Sequence, residues 1–324
     1  MRLLVIVIAI SIVITSCSNN KVINQDSIWI SSYFKFSDNI ASPDFLSSLI
    51  EIKQKELKYI CLDFENTKKI TPLKYYIQNN TFFFYNDLEC DSLLILYASS
   101  DSIIFARHDR ESELVFKRIN LSESPKKIPL IGNAFTINAT GYQDTIEFIN
   151  DSLCLLESMP VSNSKLLYWK TFTYKKLSFL LIDSYLFPPM LIHSIQNKTI
   201  NTNIYYTSVQ KVQFRKLSSQ FKYSLLNGKW RATTDSFLPP PPELNYIPVS
   251  IEFRDTILSI QYNNRTLQYN WFASKYLPYI FFISPLDNYT NVWKIKTLNN
   301  NLLIIEKTNS DFRDNLNQTF RFTR

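Results

Sequence analysis

The sequence predicts an all-β chain: tandem antiparallel β-meanders, closed as barrels or left as curled sheets, in three units behind an apolar N-terminal segment. Three observations predict it. Short runs rich in Ile, Phe, Tyr, Thr and Val are separated by Asn, Asp and Ser turns, at the ~8–12-residue spacing of sandwiches and barrels. A set of elements recurs three times in one order, the mark of a repeated supersecondary unit. No stretch carries a sustained helical stripe, and 45% apolar with 15% aromatic residues supply a packed core rather than a disordered chain.

The chain opens with Met1 and Arg2, then an apolar run from Leu3 to Ile14 broken only by Ser11. That run is too short to span a bilayer comfortably and fits a signal h-region. It closes at Ile14-Thr15-Ser16-Cys17 and turns polar at Ser18-Asn19-Asn20. The pattern resembles a bacterial lipoprotein signal, in which a small-residue box ends at a cysteine that is diacylated and becomes the mature N-terminus. The resemblance implies that residues 1–16 are removed, that Cys17 carries the lipid, and that residues 17–26 are a tether. Acyl chains contribute ~0.8 kcal/mol per buried CH₂, so two or three hold a protein on a membrane almost irreversibly. Ser18 and Asn19 lack the aspartate that retains many such proteins at the inner membrane. The expected address is therefore the cell envelope, at the outer membrane.

The repeat then organises the rest, with units expected over 27–120, 128–217 and 222–324. Ile50-Glu51-Ile52, Ile146-Glu147-Phe148 and Ile251-Glu252-Phe253 open the shared set, and Leu57, Leu153 and Leu258 each follow seven residues after the first Ile. Tyr59, Leu155 and Ile260 stand two further on. A Leu-x-Tyr comes next, at Leu73-Lys74-Tyr75, Leu166-Leu167-Tyr168 and Leu267-Gln268-Tyr269. Apolar runs follow at 81–85, 179–182 and 279–283, then strand-like segments at 93–97, 190–195 and 292–298. Each set ends on an aromatic beside a base: Phe116-Lys117-Arg118, Phe214-Arg215-Lys216 and Phe320-Arg321. Val292 to Leu298 largely alternates, giving one face to a core and one to water. By the same alternation Glu51, Glu147 and Glu252 lie between apolar neighbours and point away from the core, as solvated strand carboxylates. Ser42 to Lys58 offers the best helical start, with Ser42 as cap and Pro43 at the first position, but the repeat favours a strand from Ile50 onward.

Three glycines in 324 residues, where ~7% is usual, exclude Gly-rich phosphate loops and nucleophile elbows and leave the turns to Asn, Asp, Ser and Pro. Asn tolerates the left-handed region better than other side chains. The four prolines 239–242 stiffen the link between the first strand of unit three and Ile251. Phe187-Pro188-Pro189-Met190 reads as a strand-connecting turn or an exposed apolar tip. Cys61 and Cys90 share one unit, leaving their pairing open in an oxidising compartment. Cys154, between leucines, reads as a buried filler.

Ahead of the third unit stands Leu226-Asn227-Gly228-Lys229-Trp230; the second has Leu130-Ile131-Gly132-Asn133-Ala134-Phe135 and the first Ser27-Ile28-Trp29. A Leu-x-Gly-x-Trp opening strand, a meander and a last strand ending in Phe and a base resemble the lipocalin-like domains of bacterial envelope lipoproteins. The resemblance implies that the first-strand aromatic plugs the closed end of a barrel under a basic residue of the last strand. Trp230 would be covered by Arg321 or Arg324, Phe135 by Arg215, and Trp29 by Arg118. The third unit carries the whole motif; the first lacks the glycine, and the second has Phe for Trp, set one residue further on. An eight-stranded barrel has an interior just wide enough to be filled by side chains or to hold one small ligand. With aromatics so frequent and units near 100 residues, filling is expected as readily as binding.

The chemistry of catalysis has few carriers. His108 and His193 are far apart, with no metal-ligand spacing around either, and His108 sits in the charged turn Arg107-His108-Asp109-Arg110-Glu111. No metal centre, cofactor or enzyme activity is expected. The formal charge of +7 is scattered rather than concentrated in a stripe, so nucleic acid is not an expected partner. The expectation is a lipid-anchored, non-enzymatic envelope protein that binds a small apolar ligand or a protein partner; the alternative is a structural adaptor within an envelope complex.

Overall fold

A computed structural model describes residues 23, 26–36, 41–43, 48–62, 64, 70–107, 112–120, 123–158, 166–183, 187–218, 221–233, 248–283, 290–307 and 318–324. Cys17 and the signal segment, His108 and the four prolines 239–242 lie outside the described residues.

The strands form three eight-stranded antiparallel barrels in tandem. The first runs β1 (Ser27–Phe36), β3 (Ser48–Lys53), β4 (Glu56–Cys61), β5 (Ile70–Gln78), β6 (Thr81–Tyr85), β7 (Cys90–Ala98), β8 (Ser102–Ala106) and β9 (Ser112–Arg118). It closes through β1 and β9, and the short β2 (Ala41–Pro43) adds to β1 outside the ring. The second comprises β10 (Asn133–Ala139), β11 (Tyr142–Phe148), β12 (Leu153–Leu156), β13 (Leu166–Tyr174), β14 (Leu177–Ile182), β15 (Met190–Gln196), β16 (Thr199–Tyr205) and β17 (Val209–Lys216). The third comprises β18 (Gly228–Ala232), β19 (Ser250–Arg254), β20 (Ile257–Gln261), β21 (Thr266–Ala273), β22 (Tyr279–Ile283), β23 (Thr290–Leu298), β24 (Leu302–Lys307) and β25 (Gln318–Thr323). Closure removes the free edges that an open sheet of such apolar strands would expose. The helix weighed for Ser42 to Lys58 is replaced by β3 and β4, whose residues pair across six positions.

The repeat is structural. Ile50, Ile146 and Ile251 are all buried on the second strand of their barrels. The sixth strand of each barrel bulges against the seventh at a matching place, with Leu96, His193 and Lys296 as the extra residues. A bulge of this kind sharpens the local twist. With glycine scarce, the left-handed backbone falls on Asn79, Asn80 and Asn197, as expected, but also on Gln54, Lys175, Lys198 and Asp255. Asn79-Asn80 makes a two-residue hairpin with φ positive at both positions, the requirement of a type I′ turn. Phe187 and Met190 are buried where β14 leads to β15, so that segment is a connection and not an exposed tip. Cys61 and Cys90 stand on strands separated by two others and no disulfide joins them, while Cys154 is buried.

The chain divides into two compact units, one of Met1–Ile128, Ala139–Gly141 and Trp169–Phe214, the other of Pro129–Asn138, Tyr142–Tyr168 and Arg215–Arg324. Each unit is held by one of the recurrent glutamates. In the first, Glu51 is only 6% exposed and accepts hydrogen bonds from Tyr174 Oη and Lys175 Nζ at the β13–β14 turn. In the second, Glu147 is 3% exposed and accepts from Ser274 Oγ, Lys275 N (2.8 Å) and Tyr276 N (3.2 Å) in the β21–β22 connection. These carboxylates do point out of their own barrels, but they are not solvated; each clamps the turn between the fourth and fifth strands of the next barrel. Glu252 alone keeps the expected setting, one-quarter exposed and 2.7 Å from Arg254 Nε.

Burial alone would raise the Glu51 carboxyl's titration. The hydrogen bonds from Lys175 and Tyr174, with the charges of Lys175 and Lys58, outweigh it and hold the group below the usual carboxylate range. A depressed carboxylate contributes stability above its unfolded-state titration and loses it as pH falls through its folded one. Wild-type protein should therefore lose more melting temperature than Glu51→Gln between neutrality and the acid side of the carboxylate range. Parallel loss in the two proteins would show that Glu51 does not carry the clamp.

Candidate ligand-binding site

Along the strands of the first barrel, alternation turns Ile50, Leu57, Leu73, Phe82, Leu93, Phe105 and Phe116 inward. They do not fill the interior. A cavity of about 530 Å³ remains, lined by these residues with Phe34, Phe84 and Leu114. That lies within the ~300–1,000 Å³ of small-molecule sites. Ser48 at the start of β3, and Tyr59, Thr71, Asn86, Glu89 and Asp91 beside the β4–β5 and β6–β7 connections, complete the lining, so the polar rim lies at one end of the barrel. Asn86 Oδ1 accepts from the backbone N–H of Leu88 and of Glu89, both at 2.8 Å, which fixes that rim turn.

The register shows how the linings of the first and third barrels differ. Leu57 pairs with Leu73, Phe82 with Leu93, and Phe105 with Leu114. The matching pairs in the third barrel are Leu258 with Tyr269, Ile280 with Trp293, and Ile305 with Phe320. Three leucines of the first barrel thus stand where the third has three rings. Trp293 meets Phe282 edge-on at 4.6 Å and reaches Phe320 at 6.4 Å, so rings meet across the third interior. Phe82 and Phe105 in turn stand where the third barrel has Ile280 and Ile305, so these three pairs carry two rings in the first barrel and three in the third. Below its polar rim the wall of the first cavity is apolar, which suits an apolar guest.

The opposite end of the first barrel holds the expected aromatic and base. Trp29 is fully buried, pairs with Arg118 across β1 and β9, donates Nε1–H to Ser27 Oγ (2.7 Å) and lies 5.8 Å below the guanidinium. Nearby, the Tyr75 hydroxyl donates to Gln54 O, and its titration is pushed up to about 12 by burial and then by the Asp26 charge. Trp230 is likewise fully buried and donates to Leu226 O at 2.7 Å. Its cation is Arg324, 4.4 Å from the ring, and not Arg321. The reason is alternation: Phe320 and Phe322 turn inward, Arg321 is exposed between them, and β18 pairs Arg231 with Thr323, which brings the next residue onto Trp230. Phe135 is buried against Phe148, with ring centroids 5.9 Å apart. The backbone bond Leu217 N–H to Ala134 O matches Ile119 N–H to Ile28 O. That match places Lys216, and not Arg215, at the position Arg118 holds in the first barrel. Gly228, at φ 113°, turns the chain into β18 where a side chain would be strained.

The Leu-x-Tyr element is not one structural position. Tyr75 is buried inward, whereas Tyr168 is exposed outward; Leu73 corresponds to Tyr269, so the sequence match slips by two residues. No histidine, cysteine, lysine or arginine lines the first cavity among the described residues, and no group of three His, Cys, Asp or Glu that could hold a metal occurs among them. The arrangement can enclose an apolar molecule.

No family model matches the chain, and no curated protein matches it. Among solved structures, it is similar to a transferrin binding protein B variant from Haemophilus parasuis, at 8% identity and a TM-score of 0.17, over 93% of this chain and 75% of that one. It is also similar to the isotype 1 transferrin binding protein B of serogroup B Neisseria meningitidis, at 11% identity and a TM-score of 0.15, over 86% of this chain and 64% of that one. Scores this low leave any functional reading to rest on the chain's own residues and geometry.

Trp230 carries a testable consequence. Trp230→Ala removes a fully buried indole and should cost ~3–5 kcal/mol in the third barrel. Lys229→Ala, at the exposed neighbour, should change stability by less than ~0.5 kcal/mol. Equal effects in thermal unfolding would show the inward assignment of Trp230 to be wrong.

Proposed function

We propose that this protein is a non-enzymatic lipoprotein of the bacterial cell envelope, anchored through Cys17 at the outer membrane, whose first barrel binds one small apolar ligand. The observation that carries the reading is the cavity of about 530 Å³ in the first barrel, walled by Leu73, Leu93 and Leu114 among other apolar side chains. Trp29 and Arg118 occupy one end of that barrel, and the rim with Asn86, Glu89 and Asp91 marks the other as the entry. An apolar body with one polar end suits such a lining, because the wall rewards apolar burial at about 25 cal/mol per Å² while the rim keeps a polar group in water. The apolar N-terminal segment and its cysteine support the anchor.

Titration with N-phenyl-1-naphthylamine, a neutral apolar fluorophore, tests the binding. Wild type should bind it saturably with one site per chain. Leu93→Trp installs the ring found at the matching position of the third barrel, and should weaken binding at least tenfold with an unchanged far-UV CD spectrum. Undiminished binding by folded Leu93→Trp would remove the cavity as the site.

A further inference from the structure

The hairpin between the fourth and fifth strands has a second recurrent feature on its outward face: a cross-strand aromatic pair. Tyr76 faces Phe83 in the first barrel, Phe172 faces Phe179 in the second, and Phe272 faces Phe281 in the third. Tyr76 and Phe83 stack at 4.7 Å and 10°, Phe272 and Phe281 at 4.9 Å and 18°. Phe172 and Phe179 are tilted at 6.5 Å.

In the later two barrels this pair is covered by the barrel before it. Phe179 is 0% exposed, in one cluster with Ile30, Leu49, Ile60 and Leu62. Phe281 is 0% exposed, in one cluster with Leu155, and Phe272, Ile149 and Leu166 pack against that cluster. Each pair therefore sits on a sheet face of aliphatic side chains, beside a turn that donates hydrogen bonds to one carboxylate, Glu51 or Glu147. The first barrel has the same pair with nothing described over it: Tyr76 is 46% exposed, and Leu96 and Tyr97 on β7 are exposed as well. Its turn, Asn79-Asn80, is exposed and stands at the register positions of Lys175 and Lys176.

We propose that this outward face of β5 to β7 docks a partner protein that presents a β-sheet face of aliphatic side chains around one carboxylate, the kind of face that receives the matching hairpins inside this chain. A second copy does not provide it. The register places Lys229, Arg231, Ser250 and Gln261 of the third barrel where the first has Ile28, Ile30, Leu49 and Ile60. Lys229 and Arg231 are exposed, Ser250 bonds Gln261 at 2.9 Å, and Glu252 is taken by Arg254. A charged face of this composition would leave buried cations unpaired beneath aromatic rings.

Building the missing face on the third barrel of the full mature chain tests the idea with the protein as its own probe. Wild type should run as a monomer in size-exclusion chromatography with light scattering. The variant Lys229→Ile, Arg231→Ile, Ser250→Leu, Gln261→Ile should associate head to tail, at least doubling its mass as concentration rises. Adding Phe83→Asp should return it to the monomer. If the fourfold variant does not fold, Arg231→Ile with Gln261→Ile is read in its place, with the same expectation. A folded graft that stays monomeric overturns the proposal, as does association that persists with Phe83→Asp. A wild-type dimer dispersed by Phe83→Asp would identify a second copy as the occupant instead. Binding of wild type to phosphatidylethanolamine–phosphatidylglycerol vesicles, lost with Phe83→Asp, would identify a lipid surface; either result overturns the proposed partner.

Discussion

The interior of a closed eight-stranded barrel must be occupied, and what occupies it decides the character of each unit here. Strand number sets the bore, and alternation sends every second side chain into it. In the third barrel Tyr269, Trp293 and Phe320 are among the rings that turn into the bore. In the first, leucines stand at the same register positions and about 530 Å³ is left. Close packing is the normal condition of an interior, and a void forfeits dispersion contacts along its lining. A guest that fills the space restores those contacts, so the cavity is at once a cost to the empty barrel and a source of affinity.

The outside of the barrels follows a related logic. Outward strand positions would be solvated in a lone barrel, yet Glu51 and Glu147 are buried because a hairpin turn closes over each. Burying a carboxylate is unfavourable unless charged or polar donors meet it, and both sites supply several. Position Glu252 shows the contrast within one molecule: with Lys229, Arg231 and Arg254 around it, the strand face stays polar and the carboxylate stays near water. Aliphatic or charged neighbours at Ile30 and Arg231 decide which outcome follows.

Much of this was legible in the sequence. Period-two runs and Asn-rich turns announced the strands, and the Ile-Glu-Ile openings located the second strand of every barrel. Trp29, Phe135 and Trp230 were recognisable as buried first-strand aromatics. What failed was register. Leu-x-Tyr aligned Leu73 with Leu267 when pairing puts it with Tyr269, and the aromatic-base ending left Arg321 and Arg324 both open over Trp230 where the geometry has Arg324. A slip of two residues preserves alternation, so no in-or-out pattern can expose it; only cross-strand partners do. The buried carboxylates were hidden by a different limit: a strand pattern reports which face a residue occupies, not what docks on that face.

The most direct test of the account is native mass spectrometry of the protein purified in mild detergent from the cells that make it. A receptive first barrel predicts a species heavier than the ligand-free chain by one small apolar molecule, released on activation in the gas phase. The same preparation of Leu93→Trp should show the ligand-free chain alone. An identical adduct on both proteins, or none on wild type after gentle extraction, would contradict the claim that the first barrel is hollow in order to hold a ligand.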